Sequence, residues 1–187
     1  MHQGERLPGQ TMRPRGPLAA RATLGLAILT LLLAGLARLE AAPQATEASQ
    51  GMSDPALARS DYIENCGGCH GITGSSAPAQ VPELRGRVGY FMCTEETRAY
   101  ILRLPNVAHS RIVDDGQLAE LMNYVVYVLG KDSVPAGRAP FTGAEVARER
   151  RQALSAANLT DERARNVAIA MRECGAPATL GAMYDPR

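Results

Sequence analysis

The stretch Asn65–His70, which reads NCGGCH, places two of the chain's four cysteines and one of its three histidines within five residues. Three kinds of site use such a cluster: a redox-active dithiol, one half of a zinc site, and an attachment point for haem. The segments on either side of the motif help to distinguish the three.

The segment before the motif, SDPALARSDYIE, has the pattern of a helix. Ser53 is a suitable N-cap, and Leu57, Tyr62 and Ile63 form a partly apolar face. The cysteine pair therefore lies at the end of a helix. In a thioredoxin-type dithiol the reactive thiol lies at a helix start, where the helix N-terminus lowers its pKa. This position disfavours the redox-dithiol interpretation.

A zinc site needs four ligands, usually including a second close pair of Cys or His. Beyond residue 42, the chain offers only Cys93, His109 and Cys174 outside the motif, and these three are widely separated. The sequence therefore supports a zinc site only weakly.

Haem attachment explains the whole motif. The thiols of Cys66 and Cys69 can add to the two vinyl groups of a porphyrin, while the imidazole of His70 reaches the iron. Gly67 and Gly68 place no side chain between the chain and the macrocycle. We therefore predict one covalently bound haem c, with its iron held by His70.

The first 42 residues have the order of a secretory signal. Arginines precede the apolar block TLGLAILTLLLAGLA (23–37), and the small residues Ala41 and Ala42 follow it. The block is slightly shorter than the roughly 20 apolar residues of a spanning helix. We predict cleavage near Ala41 or Ala42 and a periplasmic protein, with an uncleaved N-terminal anchor as the alternative and the only expected link to a membrane.

Export changes the charge balance of the chain. The signal segment removes five arginines and two glutamates from totals of 20 basic and 19 acidic residues, which leaves a net charge of −2. Such a chain has no strong signal for binding a polyanion, so we expect no nucleic-acid partner.

Two further helices follow the motif. CTEETRAYILRLP predicts one that is capped by Thr94, and VDDGQLAELMNYVVYVLG predicts a closing helix that starts at Asp114 or Asp115 and ends at Gly130. Glycines and prolines mark the segment after the motif as a loop. No run of alternating strands is present, so the predicted fold class is all-α.

With these elements, residues 54–130 resemble a class I cytochrome c domain. The resemblance implies thioether attachment at Cys66 and Cys69 and His70 as the proximal iron ligand. It further implies Pro82 and Leu84 as haem-lining loop residues, and Tyr124 and Tyr127 as aromatic positions of the closing helix. The expected organisation is a signal peptide (1–42), a linker (43–53), the cytochrome domain (54–131) and a C-terminal extension (132–187) that wraps it.

The second axial ligand departs from the class I pattern, because no methionine stands just before the closing helix. His109 occupies that place and would give a bis-histidine haem of relatively low potential. Met92, just before the middle helix, would give a higher potential. A third alternative is an open sixth position. Met122 is interpreted as a packing residue of the closing helix.

Other side chains have predicted roles near the haem or in the extension. Arg85 and Arg87, on the loop, are candidates for pairing the haem propionates. Cys93 and Cys174 are either a disulfide or two unpaired thiols, since sequence does not give their distance. The basic run 148–151 is interpreted as a solvated helix face, with an acidic partner as the alternative.

The predicted function is that of an electron carrier, since the sequence provides no substrate pocket, general base or second cofactor. The expected partners are redox proteins on the periplasmic dehydrogenase or terminal oxidase side. Two alternatives are a cytochrome subunit of a periplasmic dehydrogenase complex and a gas-binding or gas-sensing haem protein.

Overall fold

The computed structural model describes residues 50–75 and 81–182, and this part of the chain consists of helices and loops without a strand. The predicted all-α class is thereby confirmed for these residues. The predicted signal segment, 1–42, lies outside them. Within the same ranges, no helix has the length and hydropathy that crossing a membrane requires.

The helices are joined by loops that include short 3₁₀ turns. In chain order they are α1 (Pro55–Asn65), α2 (Gly67–His70), α3 (Glu95–Arg103), α4 (Pro105–Ala108), α5 (Asp115–Asn123) with a π-helical continuation (Tyr124–Leu129), α6 (Gly143–Glu149) and α7 (Leu159–Cys174). Short 3₁₀ turns lie at Val88–Met92, Lys131–Ser133, Arg150–Gln152, Ala156–Asn158 and Ala178–Gly181.

The N-cap of α1 lies one residue after the predicted cap, Ser53. The carboxylate of Asp54, not the hydroxyl of Ser53, accepts a hydrogen bond from the backbone N–H of Leu57 at 2.9 Å, and Pro55 fills the first helical position. Ser53 instead donates from its hydroxyl and its backbone N–H to the carboxylate of Glu120. The prediction of Ser53 as the cap was wrong because its hydroxyl binds a distant acid on α5.

The predicted linker, 43–53, is described only from residue 50, and there it packs against the helices. Met52 is 1% exposed, and the side-chain amide of Asn123 donates to the Gly51 carbonyl at 3.0 Å. These last linker residues are therefore part of the packed structure.

The caps of α3 and α5 confirm the sequence prediction. The Thr94 hydroxyl accepts from the N–H of Thr97, and the Thr97 hydroxyl accepts in turn from the N–H of Thr94. Asp114 accepts from the N–H of Gln117 at 2.7 Å. The Gln117 side chain donates to Asp61 of α1 at 2.8 Å, so it does not complete a capping box with Asp114.

A single buried cluster joins the N-terminal helices and the C-terminal extension. Its members from the extension are Phe141, Val146, Val167, Ala170, Ala176 and Leu180. They pack with residues of α1 and α5 such as Tyr62 and Leu118. The extension is thus built into the same core as the helices that precede it.

Arg98 on α3 links that helix to the extension through polar contacts. Its guanidinium forms two bonds with the Glu145 carboxylate, at 2.5 and 2.7 Å, and donates to the carbonyls of Ala139 and Pro140. The charge also lies 4.2 Å from the centre of the Phe141 ring. Because both charged side chains are largely buried, the pair depends on both partners being present.

Replacing Arg98 by methionine should lower the free energy of unfolding by about 3 kcal/mol, because Glu145 would be left as a buried unpaired charge. Denaturant titration without reductant measures this loss in the free energy of unfolding. The control is Arg138→Met, whose partner Glu95 is 85% exposed, and which should cost at most about 1 kcal/mol. Equal losses in the two variants would contradict the role given to Arg98.

Candidate cofactor site

A mostly apolar cavity of about 320 Å³ lies beside the NCGGCH motif. Five parts of the chain form its walls: the motif, residues 81–84 after it, the 3₁₀ turn Val88–Met92, the helices α3 to α5 with the π-helical continuation, and the C-terminal extension. The described residues that line it are Cys66, His70, Val81, Pro82, Glu83, Leu84, Val88, Phe91, Tyr100, Ile101, Leu104, Asn106, Val107, Met122, Val125, Leu159, Thr160, Arg163 and Leu180.

One turn of chain presents both thiols and the imidazole. Cys66 closes α1 by donating its N–H to the Tyr62 carbonyl at 2.9 Å, and its own carbonyl accepts from Cys69 and His70. Cys66 is half-buried at the cavity wall, whereas Cys69 is exposed. Both cysteines are free thiols, so they are available for a covalent bond to a ligand.

A backbone carbonyl fixes the ring of His70. Its Nδ1 lies 3.0 Å from the carbonyl oxygen of Pro82. A carbonyl only accepts, so Nδ1 carries the proton and Nε2 keeps a free lone pair. Burial lowers the pKa of His70, although the bond to Pro82 acts in the opposite direction. The imidazole is therefore oriented by Pro82, and its burial favours the neutral form that a metal-binding histidine uses.

The cysteines lack the electrostatic setting of a redox dithiol. Burial, and then the neighbouring Cys69, raise the pKa of Cys66 to about 11. The thiol is protonated at neutral pH, whereas reactive dithiols have a lowered pKa. This agrees with the location of Cys66 at the C-terminal end of α1.

A zinc site is not assembled by the described side chains. Within 50–75 and 81–182, no three His, Cys, Asp or Glu side chains come together as a group that could hold a metal ion. Cys93 and Cys174, two of the potential ligands, are joined to each other as a disulfide with their Cα atoms 6.1 Å apart.

The two candidates for a second axial ligand both lie outside the cavity lining. His109 is exposed at the end of α4. Arg150 holds the surrounding loop through the carbonyls of Ala108, Ser110 and Ile112, and it also pairs with Asp115. Within the basic run 148–151, Arg150 therefore binds this loop and does not belong to a solvated helix face.

Met92 is fully buried, and its sulfur lies 3.8 Å from a guanidinium nitrogen of Arg98. Met122, which the sequence assigned to packing, is buried as well, but it lines the cavity together with Val125 one turn later. Among the described lining residues, Met122 and His70 are the only thioether and imidazole side chains.

Pro82 and Leu84, which the cytochrome c resemblance implies as haem-lining residues, lie in the cavity lining, whereas Arg85 and Arg87 bind elsewhere. Arg85 is exposed and donates to the Thr73 carbonyl at 2.9 Å. Arg87 donates to the Thr179 carbonyl at 2.8 Å and lies 3.7 Å from the carboxylate of Glu83. Neither guanidinium belongs to the cavity lining.

Sequence reasoning missed the wall that comes from the C-terminal extension. Leu159, Thr160 and Arg163 of α7, with Leu180 beyond it, close one side of the cavity. The Cys93–Cys174 disulfide fastens the end of α7 to the segment just before α3. The cysteine pair was the only sequence signal that could have indicated this contact.

No family model, no curated protein and no solved structure matches this chain. The function is therefore inferred from the residues of the site.

Replacing both Cys93 and Cys174 by alanine should lower the free energy of unfolding by as much as about 4 kcal/mol. The disulfide spans a sequence separation of 81 residues, and the chain-entropy model assigns a stabilisation of that order to such a loop. Denaturant titration without reductant gives the loss. Amide exchange should also become faster in α7, and unchanged exchange there would contradict a role for the disulfide in holding the cavity wall.

Proposed function

We propose that this chain is an exported, one-haem c-type cytochrome that carries single electrons between redox partner proteins in the periplasm. The observation that supports this best is the His70 ring, which is fixed by Pro82 on the same turn that carries Cys66 and Cys69, beside an apolar cavity.

The residues present fit a covalently attached haem. Addition of each thiol across a porphyrin vinyl group forms a C–S bond and moves the thiol proton to the neighbouring carbon, so no oxidant is needed. Cys66 and Cys69 would supply these thiols, and Nε2 of His70 would hold the iron. When bound, the haem supplies one-electron chemistry by cycling its iron between two oxidation states.

The chain's own part in this function is to hold and shield the group. Leu84, Ile101 and Val125 give the cavity apolar walls, and such walls exclude water and lower the local dielectric. The bond from His70 to Pro82 keeps the imidazole in one orientation. Electron exchange then requires no large movement of these side chains.

The second axial ligand distinguishes between kinds of haem protein. His109 is exposed and Met92 is packed against Arg98, so ligation by either would require that side chain to move from its place in the structure. Met122 already lies at the cavity wall. If none of the three binds, the sixth position is open, which favours the gas-binding alternative.

Attachment is tested by the haem spectrum in alkaline pyridine, after expression with a haem-attachment system. The wild-type protein should give the spectrum of a haem with two saturated vinyl groups. In Cys66→Ala and in Cys69→Ala, the absorption band of the reduced haem should shift to the position typical of a haem with one thioether bond. Haem that is extracted from the wild-type protein by acidified ketone would contradict covalent attachment.

The second ligand is tested by electron paramagnetic resonance and near-infrared magnetic circular dichroism on the oxidised protein and on His109→Ala, Met92→Leu and Met122→Leu. Loss of a bis-histidine signature in His109→Ala alone assigns His109. Loss of a methionine charge-transfer band assigns whichever methionine was replaced.

An unchanged spectrum in all three variants, together with rapid binding of carbon monoxide by the reduced protein, would support gas binding over electron transfer. A six-coordinate carrier should resist carbon monoxide. Co-purification with a single dehydrogenase would favour the subunit alternative.

A further inference from the structure

Arg163 on α7 is the one guanidinium among the described residues that line the cavity. It belongs to the C-terminal extension, about 90 residues after the haem-attachment motif. Its position therefore results from the packing of the extension and not from the class I domain.

The surroundings of Arg163 satisfy only part of its guanidinium. One terminal nitrogen donates to the carbonyls of Leu180 and Ala182, at 2.8 and 3.1 Å. The side chain also lies near the Tyr100 hydroxyl, and its charge lies 6.0 Å from the centre of the Phe91 ring. The Nε donor is buried and has no hydrogen-bond partner.

The described surroundings of the Arg163 guanidinium contain no carboxylate paired with it. Its partners in the described structure are neutral groups, and it forms no ion pair among these residues. Burial, opposed by Tyr100, lowers the pKa of Arg163, and the nearby Arg87 lowers it further. A partly buried cation with a buried, unused Nε donor is costly unless an anion completes its coordination.

We propose that Arg163 binds a propionate of the haem, so that the C-terminal extension completes the cofactor site. This inference rests on the proposed function. A haem carries two carboxylates, which supply the missing anion, and a guanidinium is the side chain best suited to bind a carboxylate through parallel hydrogen bonds. Arg163 thus replaces Arg85 and Arg87 as the assigned propionate partner.

Loss of the Arg163 charge should make the iron harder to reduce. Reduction removes one positive charge from the iron, so a neighbouring cation favours the reduced state and an uncompensated propionate favours the oxidised state. An effect of about tenfold on the reduction equilibrium is expected for one charge in a partly buried site. For a one-electron couple, tenfold corresponds to about 59 mV.

The experiment compares the haem-loaded wild-type protein with Arg163→Gln, Arg163→Lys and Arg172→Gln. Arg172 is a matched control, since it lies on the same helix, loses the same charge and is exposed. The readouts are haem content, midpoint potential by spectroelectrochemistry, and the propionate bending bands in the resonance Raman spectrum.

The expected result is full haem content in every variant and a reduction equilibrium about tenfold less favourable in Arg163→Gln only. The propionate bands should shift in Arg163→Gln and, because the bidentate contact is lost, in Arg163→Lys. Since lysine keeps the charge, the potential of Arg163→Lys should stay near that of the wild type.

An unchanged potential and unchanged propionate bands in folded, haem-loaded Arg163→Gln would overturn the inference and leave the proposed function standing. Absence of covalent haem from the wild-type protein would instead overturn the proposed function and the inference with it. If Arg163→Gln does not accumulate, Arg163→Lys decides: shifted propionate bands support the contact, and wild-type bands exclude it.

Discussion

The hydrogen bond between His70 and the Pro82 carbonyl is the contact on which the site depends. It connects the helical turn of the motif to the loop that passes over the cavity, and it fixes which ring nitrogen is free. A backbone acceptor serves this purpose well, because it cannot become protonated or donate in turn. The orientation of the imidazole is therefore set by the path of the chain at Pro82.

Two arginine side chains bind the C-terminal extension to the helices and loops before it. Arg98 reaches from α3 to Glu145, and Arg150 reaches back to the loop around His109. Each binds backbone carbonyls as well as a carboxylate, so each fixes the path of a segment that has no regular structure. The sequence pattern had suggested a solvated basic face near Arg150. Its side chain instead stabilises the connection between two parts of the fold.

The cavity is consequently formed by several segments that are distant from one another in sequence. The motif and its loop provide the thiols and the imidazole, while α7 and Leu180 provide a wall and a cationic group. The Cys93–Cys174 disulfide holds α7 where it can contribute these residues. If the chain carries electrons, this covering wall limits the access of water and of large partners to the haem from that side.

The sequence by itself determined the local features of this protein. The helix class, the caps at Thr94 and Asp114, and the spacing of Cys66, Cys69 and His70 all follow from residues close together in the chain. Such features depend on short-range hydrogen bonds and on the geometry of one or two turns. The predicted cap at Ser53 was wrong because a long-range contact replaces the local one: the Ser53 hydroxyl donates to Glu120 on another helix.

Only the tertiary structure decided which distant side chains reach the cavity. It turned His109 to the surface, buried Met92 against Arg98, paired the two remaining cysteines, and brought Met122 and Arg163 to the cavity wall. These outcomes depend on how helices of one mixed core pack together. A pattern of apolar residues states that a face is buried, but it does not state what that face is buried against.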